Sequence, residues 1–223
     1  DLFEKEFLSF IGIKGHFVSC ASGTDAITLA LIANGIKPGS KVIVPSHTAT
    51  ASIASILNAD CEPLFVDINE QSLLLSIREL KKLAKLKKVK AVVAVHLYGS
   101  GVDIIELKKV LRRNDVKIVE DCAQSVGTLI HGKHSGTLGD SGCFSFFPTK
   151  NLGAIGDGGG VWVPNLTLKN KLISLRQYGW NKKREVILES GINSRLDEIQ
   201  AAILRIKLKY LSPDIKRRRD LAK

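Results

Sequence analysis

"AVVAVHLYGSGVDIIELKKVLRRNDVKIVEDCAQSVG", residues 91–127, holds two strands and a helix in one stretch. Ala91-Val92-Val93-Ala94-Val95-His96 is a continuous apolar run, the pattern of a strand covered on both faces. Gly99 is placed as a stop, and Val102 to Arg113 reads as a helix. Lys117-Ile118-Val119-Glu120 is a second buried strand. Strand, helix, strand in that order makes the two strands parallel neighbours.

The same rhythm extends to both sides. Lys41-Val42-Ile43-Val44 and Pro63-Leu64-Phe65-Val66-Asp67 read as further strands, and Thr24–Asn34, Thr50–Asn58 and Ile77–Leu86 as helices, with Gly35 as a stop. Cys143 to Phe147 and Val161 to Val163 add apolar runs. The expected class is α/β, a mainly parallel sheet covered by helices, whose ligands bind beyond the carboxyl ends of the strands. After Val163 the pattern turns helical. Asp197 to Leu211 carries Ile199, Ile203, Ile206 and Tyr210 on one face, which reads as core packing for the three isoleucines.

With 223 residues, 44% hydrophobic and 25% charged, the chain can bury one sizeable core. No apolar run approaches the ~20 residues that cross a bilayer, and no secretory signal is visible. The net charge of +11 is concentrated in two runs, Lys81 to Lys90 and Lys216 to Arg219. Leu80, Leu83 and Leu86 space the first run as a solvated helix, and neither run has the aromatic interleaving of nucleic-acid binders. Cys20, Cys61, Cys122 and Cys143 are widely spaced, which predicts reduced, buried thiols in a cytoplasmic protein. The five histidines lack close spacing, so no metal site is expected.

Three stretches are placed at strand ends. In "SCASGTDAITLAL", residues 19–31, Ser22-Gly23-Thr24-Asp25 opens a helix and offers backbone N–H groups, hydroxyls and the helix dipole to a phosphate. The same residues also make an ordinary N-cap. In "KIVEDCAQSVG", residues 117–127, Glu120 and Asp121 follow a buried strand, where a carboxylate is costly without a cation or several donors. Such an acid either caps a neighbouring loop or pairs with a protonated ring nitrogen, and Gln124 is close enough in sequence to reach the same ligand.

The third stretch is "CFSFFPTKNLGAIGDGGGVWV", residues 143–163. Ser145 and Thr149 are hydroxyl donors flanking Lys150. Partly apolar surroundings disfavour an ammonium group and leave a nucleophilic amine, able to condense with an aldehyde. Gly153, Gly156, Gly158, Gly159 and Gly160 are expected to let a planar ligand lie close to the main chain. A phosphate cradle, an acid for a pyridinium nitrogen and a lysine for an aldehyde together match pyridoxal 5′-phosphate. Competing motifs are weaker. Gly127 to Lys133 imitates a P-loop but has His134 where a magnesium-binding hydroxyl belongs, and no G-x-G-x-x-G follows a strand.

On "SGTDA", "VIVPSHTATASIASI", "VHLYG", "VEDCAQSVG", "GDSGCFSFFPTKNLGAIGDGG" and "GINSRLDEIQAAIL", in that order, the chain resembles the DegT-type (DegT/StrS) nucleotide-sugar aminotransferases, a branch of the fold-type I pyridoxal phosphate enzymes. The resemblance runs from about Phe17 to about Leu211. It implies a seven-stranded-type sheet and a large catalytic domain over residues 1–211, truncated at its N-terminus. Residues 212–223 would begin the link to a smaller C-terminal domain. It also implies that Lys150 binds the cofactor aldehyde and later moves protons, that Asp121 pairs with the ring nitrogen, and that Gln124 lies near the phenolic oxygen. Gly23, Thr24, Asp25 and Ser145 would hold the phosphate, and Asn193 would reach the phosphate of a neighbouring subunit's cofactor in a homodimer.

By the same resemblance, the expected activity is transfer of an amino group from glutamate to a nucleotide-linked keto-6-deoxy sugar. "RQYGW" with "NSRLDEIQAAIL" favours the 3-keto position. Relatives that dehydrate sugars carry histidine at the lysine position, so Lys150 favours transamination over dehydration; a non-catalytic cofactor-binding regulator is the other alternative. Many relatives place an aromatic residue over the ring where this chain has Ala49, which leaves His47 as a candidate for stacking. Lys182, Lys183 and Arg184 could meet the sugar nucleotide's diphosphate or be a solvated loop.

Overall fold

Val89–Val95 and Lys117–Asp121 run side by side in parallel, with Val92 opposite Ile118 and Val95 opposite Asp121, and the helix Ile104–Leu111 crosses between them. The computed structural model describes residues 2–83, 88–111 and 115–222, so the expected ends of the helices at Leu86 and Arg113 lie outside the described residues.

In chain order the elements are α1 (Leu2–Ile11), β1 (His16–Cys20), α2 (Gly23–Ala33), β2 (Lys41–Pro45), α3 (Thr50–Asn58), β3 (Glu62–Val66), α4 (Ile77–Leu83), β4 (Val89–Val95), α5 (Ile104–Leu111) and β5 (Lys117–Asp121). A short hairpin, β6 (Leu129–Ile130) and β7 (Lys133–His134), precedes β8 (Ser141–Ser145) and β9 (Gly159–Val163). The helices α6 (Leu166–Leu175), α7 (Glu198–Leu208) and α8 (Leu211–Leu221) follow. Seven strands form one sheet in the order β1-β9-β8-β5-β4-β2-β3. β3, β2, β4, β5 and β8 are parallel, and β9 runs against both β8 and β1. The chain steps outward from β2 to β3 and then returns past β2 to β4. Strand order therefore reverses there, and a crevice opens at the carboxyl ends.

Side-chain alternation shows why the sheet is covered on both faces. On β8, Cys143 enters the large aliphatic core while Phe144 enters a second, aromatic one; on β9, Val161 and Val163 face the first and Trp162 the second. The aromatic core gathers Phe3 and Phe7 of α1, Phe17, Phe144 and Phe146, with Phe7 at 4.6 Å from Phe17 and 5.1 Å from Phe144 between ring centroids. α1 is unforeseen from the sequence, yet Phe3, Phe7 and Ile11 recur at helical spacing and are all buried. Glu4 ties it down by accepting from the Ser19 N–H, the Ser19 hydroxyl and Arg176.

One expectation about packing is overturned. α7 turns Leu204 and Leu208 to the aromatic core, while Ile199 and Ile206 are 61% and 59% exposed. The helix has two apolar stripes, and sequence spacing does not say which one meets the sheet. Most of the segment 212–223, expected to begin the link to a smaller domain, lies in α8 (Leu211–Leu221), which packs on this unit through buried Leu211 and through Arg219 donating to the Gly127 carbonyl. Replacing Phe7 by Ala in the natural full-length protein is expected to cost about 3–5 kcal/mol of stability. Chemical denaturation measures this directly; a loss under 1 kcal/mol would mean that α1 is not part of the core.

Candidate active site

The crevice contains a cavity of about 230 Å³ lined by residues from three strand ends and two helix starts. Asp121 ends β5, Ser145 ends β8, Gly23 and Thr24 open α2, and Thr48, Ala49 and Ser52 surround the start of α3; Gln124 and Lys150 complete the wall. Six of the eight residues expected to form the site, Gly23, Thr24, Asp121, Gln124, Ser145 and Lys150, therefore face one space. Gln124 and Lys150 also line an adjoining open cleft of about 520 Å³, with Thr128, Arg218 and Arg219 on its far side.

The phosphate end is built by close approach. A Cβ on Gly23 would stand 2.6 Å from Ser145 Cβ, so only glycine lets the first turn of α2 meet the Ser145 hydroxyl. Ser22 caps α2 by accepting from the Asp25 N–H. The N–H groups of Gly23 and Thr24 find no acceptor among the described residues, the usual condition of a helix N-terminus that receives an anion. Asp25 itself lies outside the cavity lining, since its carboxylate accepts from the Ser194 hydroxyl at 2.6 Å. Ser194 also accepts from the Ala21 N–H, which fixes the neighbouring Asn193 on the surface, exposed and away from the cavity.

At the other end the two acids of β5 part company. Asp121 is 5% exposed and turns to the cavity, accepting from the Ser52 hydroxyl at 2.8 Å and from the Ala123 N–H at 3.0 Å. Glu120 turns the other way and is fully buried. It accepts from the N–H groups of Gly136, Leu138 and Gly139 and meets His96 Nε2 at 2.9 Å. His96 Nδ1 accepts the Val102 N–H, so its proton sits on Nε2 and is donated to Glu120. Burial works against the Glu120 charge, but the His96 ring and the Gly136 and Gly139 N–H groups outweigh it and hold the carboxyl below its usual range.

Cys122 stands near His96 and Glu120, close enough for three donors to meet one ion. Both His96 nitrogens are already used, and burial, followed by the charges of Glu120 and Asp121, pushes the Cys122 thiol far up. The trio is a packed hydrogen-bonded cluster. All four cysteines are free and buried, and burial pushes Cys20 up to about 12.

Two readings of the site's surroundings change. Gly153, Gly156, Gly158, Gly159 and Gly160 do not line the cavity. A Cβ on Gly159 would meet the Ser22 carbonyl at 2.2 Å, one on Gly160 the Phe17 ring at 2.3 Å, and one on Gly153 the Pro148 carbonyl at 2.4 Å. These glycines let the protein approach itself rather than a ligand. His47 also stays out of the lining, its Nε2 lying 3.3 Å from the Tyr98 hydroxyl, so the ring-stacking role considered for it is not supported, while Ala49 does line the cavity. Lys182, Lys183 and Arg184 sit in an exposed turn organised by Asn181 and are not in either lining. Ser52 and Thr48 escaped the sequence reading; with Ser55 they form a hydroxyl stripe at helical spacing, the signal that could have found them.

The whole chain, residues 1–223, matches the DegT/DnrJ/EryC1/StrS aminotransferase family. This chain belongs to that family. It is 44% identical over 225 residues to the dTDP-3-amino-3,6-dideoxy-alpha-D-galactopyranose transaminase of Aneurinibacillus thermoaerophilus, covering 100% of this chain and 60% of that protein. It is 42% identical over 210 residues to the UDP-N-acetyl-3-dehydro-alpha-D-glucosamine 3-aminotransferase of Acidithiobacillus ferrooxidans, covering 94% and 56%. Among solved structures, S. venezuelae DesV in complex with a ketimine intermediate superposes with a TM-score of 0.89 at 40% identity, covering 95% of this chain and 56% of that one. The family member described here thus spans a little over half the length of these relatives.

Because folding holds Glu120 below its ordinary range, its charge favours the folded state at neutral pH, and that contribution is lost as pH falls through the folded value. Glu120→Gln is expected to cost about 1.5–3 kcal/mol at neutral pH and to flatten the acid limb of stability against pH. Denaturation midpoints across the acid range measure it; an unchanged acid limb would remove Glu120 as a source of acid sensitivity.

Proposed function

We propose that the protein is a pyridoxal 5′-phosphate-dependent aminotransferase that moves an amino group from glutamate to the 3-keto carbon of a nucleotide-linked sugar, a keto-6-deoxy sugar in the finer reading. The observation that carries this is the shared cavity. Lys150, Asp121, Gln124, Ser145, Gly23 and Thr24 all line it, a set that suits an aldehyde, a basic ring nitrogen and a phosphate carried by one molecule. The fit rests on this chain's own geometry: the Gly23–Ser145 approach leaves a cradle that a Cβ would fill, and Asp121 keeps acceptor capacity toward the cavity. When bound, the cofactor supplies an electron sink for the carbon that loses a proton.

The residues then have separate tasks. Gly23, Thr24 and Ser145 hold the phosphate, with Asp25 supporting that turn from behind through Ser194. Asp121 keeps the ring nitrogen protonated, worth about 1.5–3 kcal/mol for a charged hydrogen bond. Gln124 is held for the phenolic oxygen, its own carbonyl oxygen accepting the Tyr98 N–H at 3.1 Å. Lys150 would hold the aldehyde, and its amine would serve as the base for the α-proton of glutamate and, in the second half-reaction, as the acid that returns a proton to the sugar carbon becoming the amine-bearing centre. The adjoining cleft, which shares Lys150 and Gln124, gives substrates an approach to that amine. A lysine at this position favours transamination over dehydration.

Exposed Asn193 would meet the phosphate bound by a second copy, giving a homodimer with shared sites. Residues 1–211 would be the large catalytic domain, and α8 the start of its connection to a smaller one. The curated relatives' names support the 3-position, two of them naming 3-amino or 3-dehydro sugars.

The natural full-length protein is expected to show a visible absorbance band with pyridoxal 5′-phosphate, bleached by glutamate, and to aminate a nucleotide-linked 3-keto sugar. Lys150→Ala should abolish the band and lower turnover by at least about 10²–10⁴-fold; a full band in that variant would refute the assignment. Gly23→Ala should weaken pyridoxal 5′-phosphate binding while sparing pyridoxal, which has no phosphate to cradle. Equal loss for both in a binding titration would contradict the phosphate site.

A further inference from the structure

Asp121 is held by more than its place on β5. Its Oδ2 accepts from the Ser52 hydroxyl at 2.8 Å, and Ser52 Oγ lies 2.8 Å from Thr48 Oγ1. Ser52 has one hydroxyl proton, and a carboxylate can only accept it. Thr48 must therefore be the donor in the outer bond, which gives the direction Thr48 to Ser52 to Asp121. Ser52 is 1% exposed, and both hydroxyl residues line the cavity. A chain of this kind, buried at Ser52 and Asp121 and partly buried at Thr48, polarises along its length and strengthens at its anionic end.

The carrier of the relay is α3. Thr48 precedes the helix and Ser52 lies in its first turn, where N–H groups and the helix dipole also favour a negative charge. One turn on, the Ser55 hydroxyl lies between the Ala51 carbonyl at 2.6 Å and the Thr24 carbonyl at 2.9 Å and shares its one proton between them, while the Thr28 hydroxyl donates to the Ser55 carbonyl at 3.0 Å. One helix thus grips the turn proposed for the phosphate and the acid proposed for the ring nitrogen. The distance between those two ends is set by α3 rather than by either loop alone.

We propose that Thr48 and Ser52 form a directed hydrogen-bond relay that fixes the ionised Asp121 carboxylate toward the cavity, making Ser52 the positioning residue for recognition of a protonated pyridine nitrogen. The inference rests on the cofactor reading above. Ser52 touches the acid and acts through it. One oxygen of Asp121 is steadied by Ser52 and the other by the Ala123 N–H, so the carboxylate plane is set before any ligand arrives. Thr at 52 keeps the hydroxyl, whereas Ala removes it with little change of volume.

The test compares binding of pyridoxal 5′-phosphate with its 1-deaza analogue, which has C–H in place of the ring nitrogen, by titrating apo full-length protein. Wild type should prefer the nitrogen-bearing compound. Ser52→Ala should shrink that preference roughly ten-fold, Ser52→Thr should restore it, and Thr48→Val should shrink it about three-fold. In an Asp121→Asn background the Ser52 substitution should leave the ratio unchanged. A purely structural Ser52 would weaken both compounds equally, and an unchanged ratio in Ser52→Ala overturns the relay alone. If wild type binds neither compound, the cofactor reading falls and the relay with it. Should Ser52→Ala not accumulate as folded protein, Thr48→Val reads the same ratio from the outer end.

Discussion

Two adjacent carboxylates at the buried end of β5 set the terms for everything around them. An ionised acid removed from water is tolerated only where donors replace its hydration. Glu120 obtains them from three backbone N–H groups and His96, and in doing so fastens the segment around 136–139 to the end of β4. Asp121, on the opposite side of the strand, receives Ser52 and the Ala123 N–H among the described residues and keeps acceptor capacity facing the cavity. One acid is taken up within the fold, and its neighbour is the one proposed to meet a ligand. The difference arises from strand alternation, which sends consecutive side chains to opposite faces.

The rest of the site is spaced from that point. α3 meets Asp121 through Ser52 and meets α2 through Ser55, whose hydroxyl lies 2.9 Å from the Thr24 carbonyl and whose carbonyl accepts from Thr28, and Gly23 lets α2 close on Ser145. Lys150 follows β8, the parallel neighbour of β5, on a loop in which Gly153 approaches the Pro148 carbonyl, while Gly159 and Gly160 of β9 approach Ser22 and Phe17. The Lys150 N–H donates to the Phe147 carbonyl and the Ala154 N–H to the Phe146 carbonyl, which fasten this turn to the end of β8. A lysine presented from such a turn would suit the proposed role, an amine returning to one carbon after each half of a transfer.

Much of this was legible because it is local. Runs such as Ala91–His96 and Lys117–Glu120 are apolar throughout and can only be covered strands, and Ser22-Gly23-Thr24 before an apolar helix marks an N-terminus whatever surrounds it. Asp121 and Lys150 stood out as charges attached to buried strands. What sequence could not supply was the identity of neighbours distant in the chain. Ile199 and Leu204 lie on different stripes of α7, and only the position of Phe3, Phe7 and Phe146 decides that Leu204 goes inside. The glycines of 153–160 read as ligand space in the sequence because most of their partners, Gln200 for Gly156, Ser22 for Gly159 and Phe17 for Gly160, are remote along the chain. Ser52 was passed over because a serine in the first turn of a helix is ordinary until an aspartate 69 residues away is found beside it.

The central claim is that the amine of Lys150 is the covalent anchor for an aldehyde cofactor facing Asp121. Borohydride reduction of the full-length protein incubated with pyridoxal 5′-phosphate, followed by peptide mass analysis, tests it directly. The account predicts a single phosphopyridoxyl modification, on the peptide bearing Lys150. Absence of that modification, or its placement on other lysines with Lys150 unmodified, would contradict it.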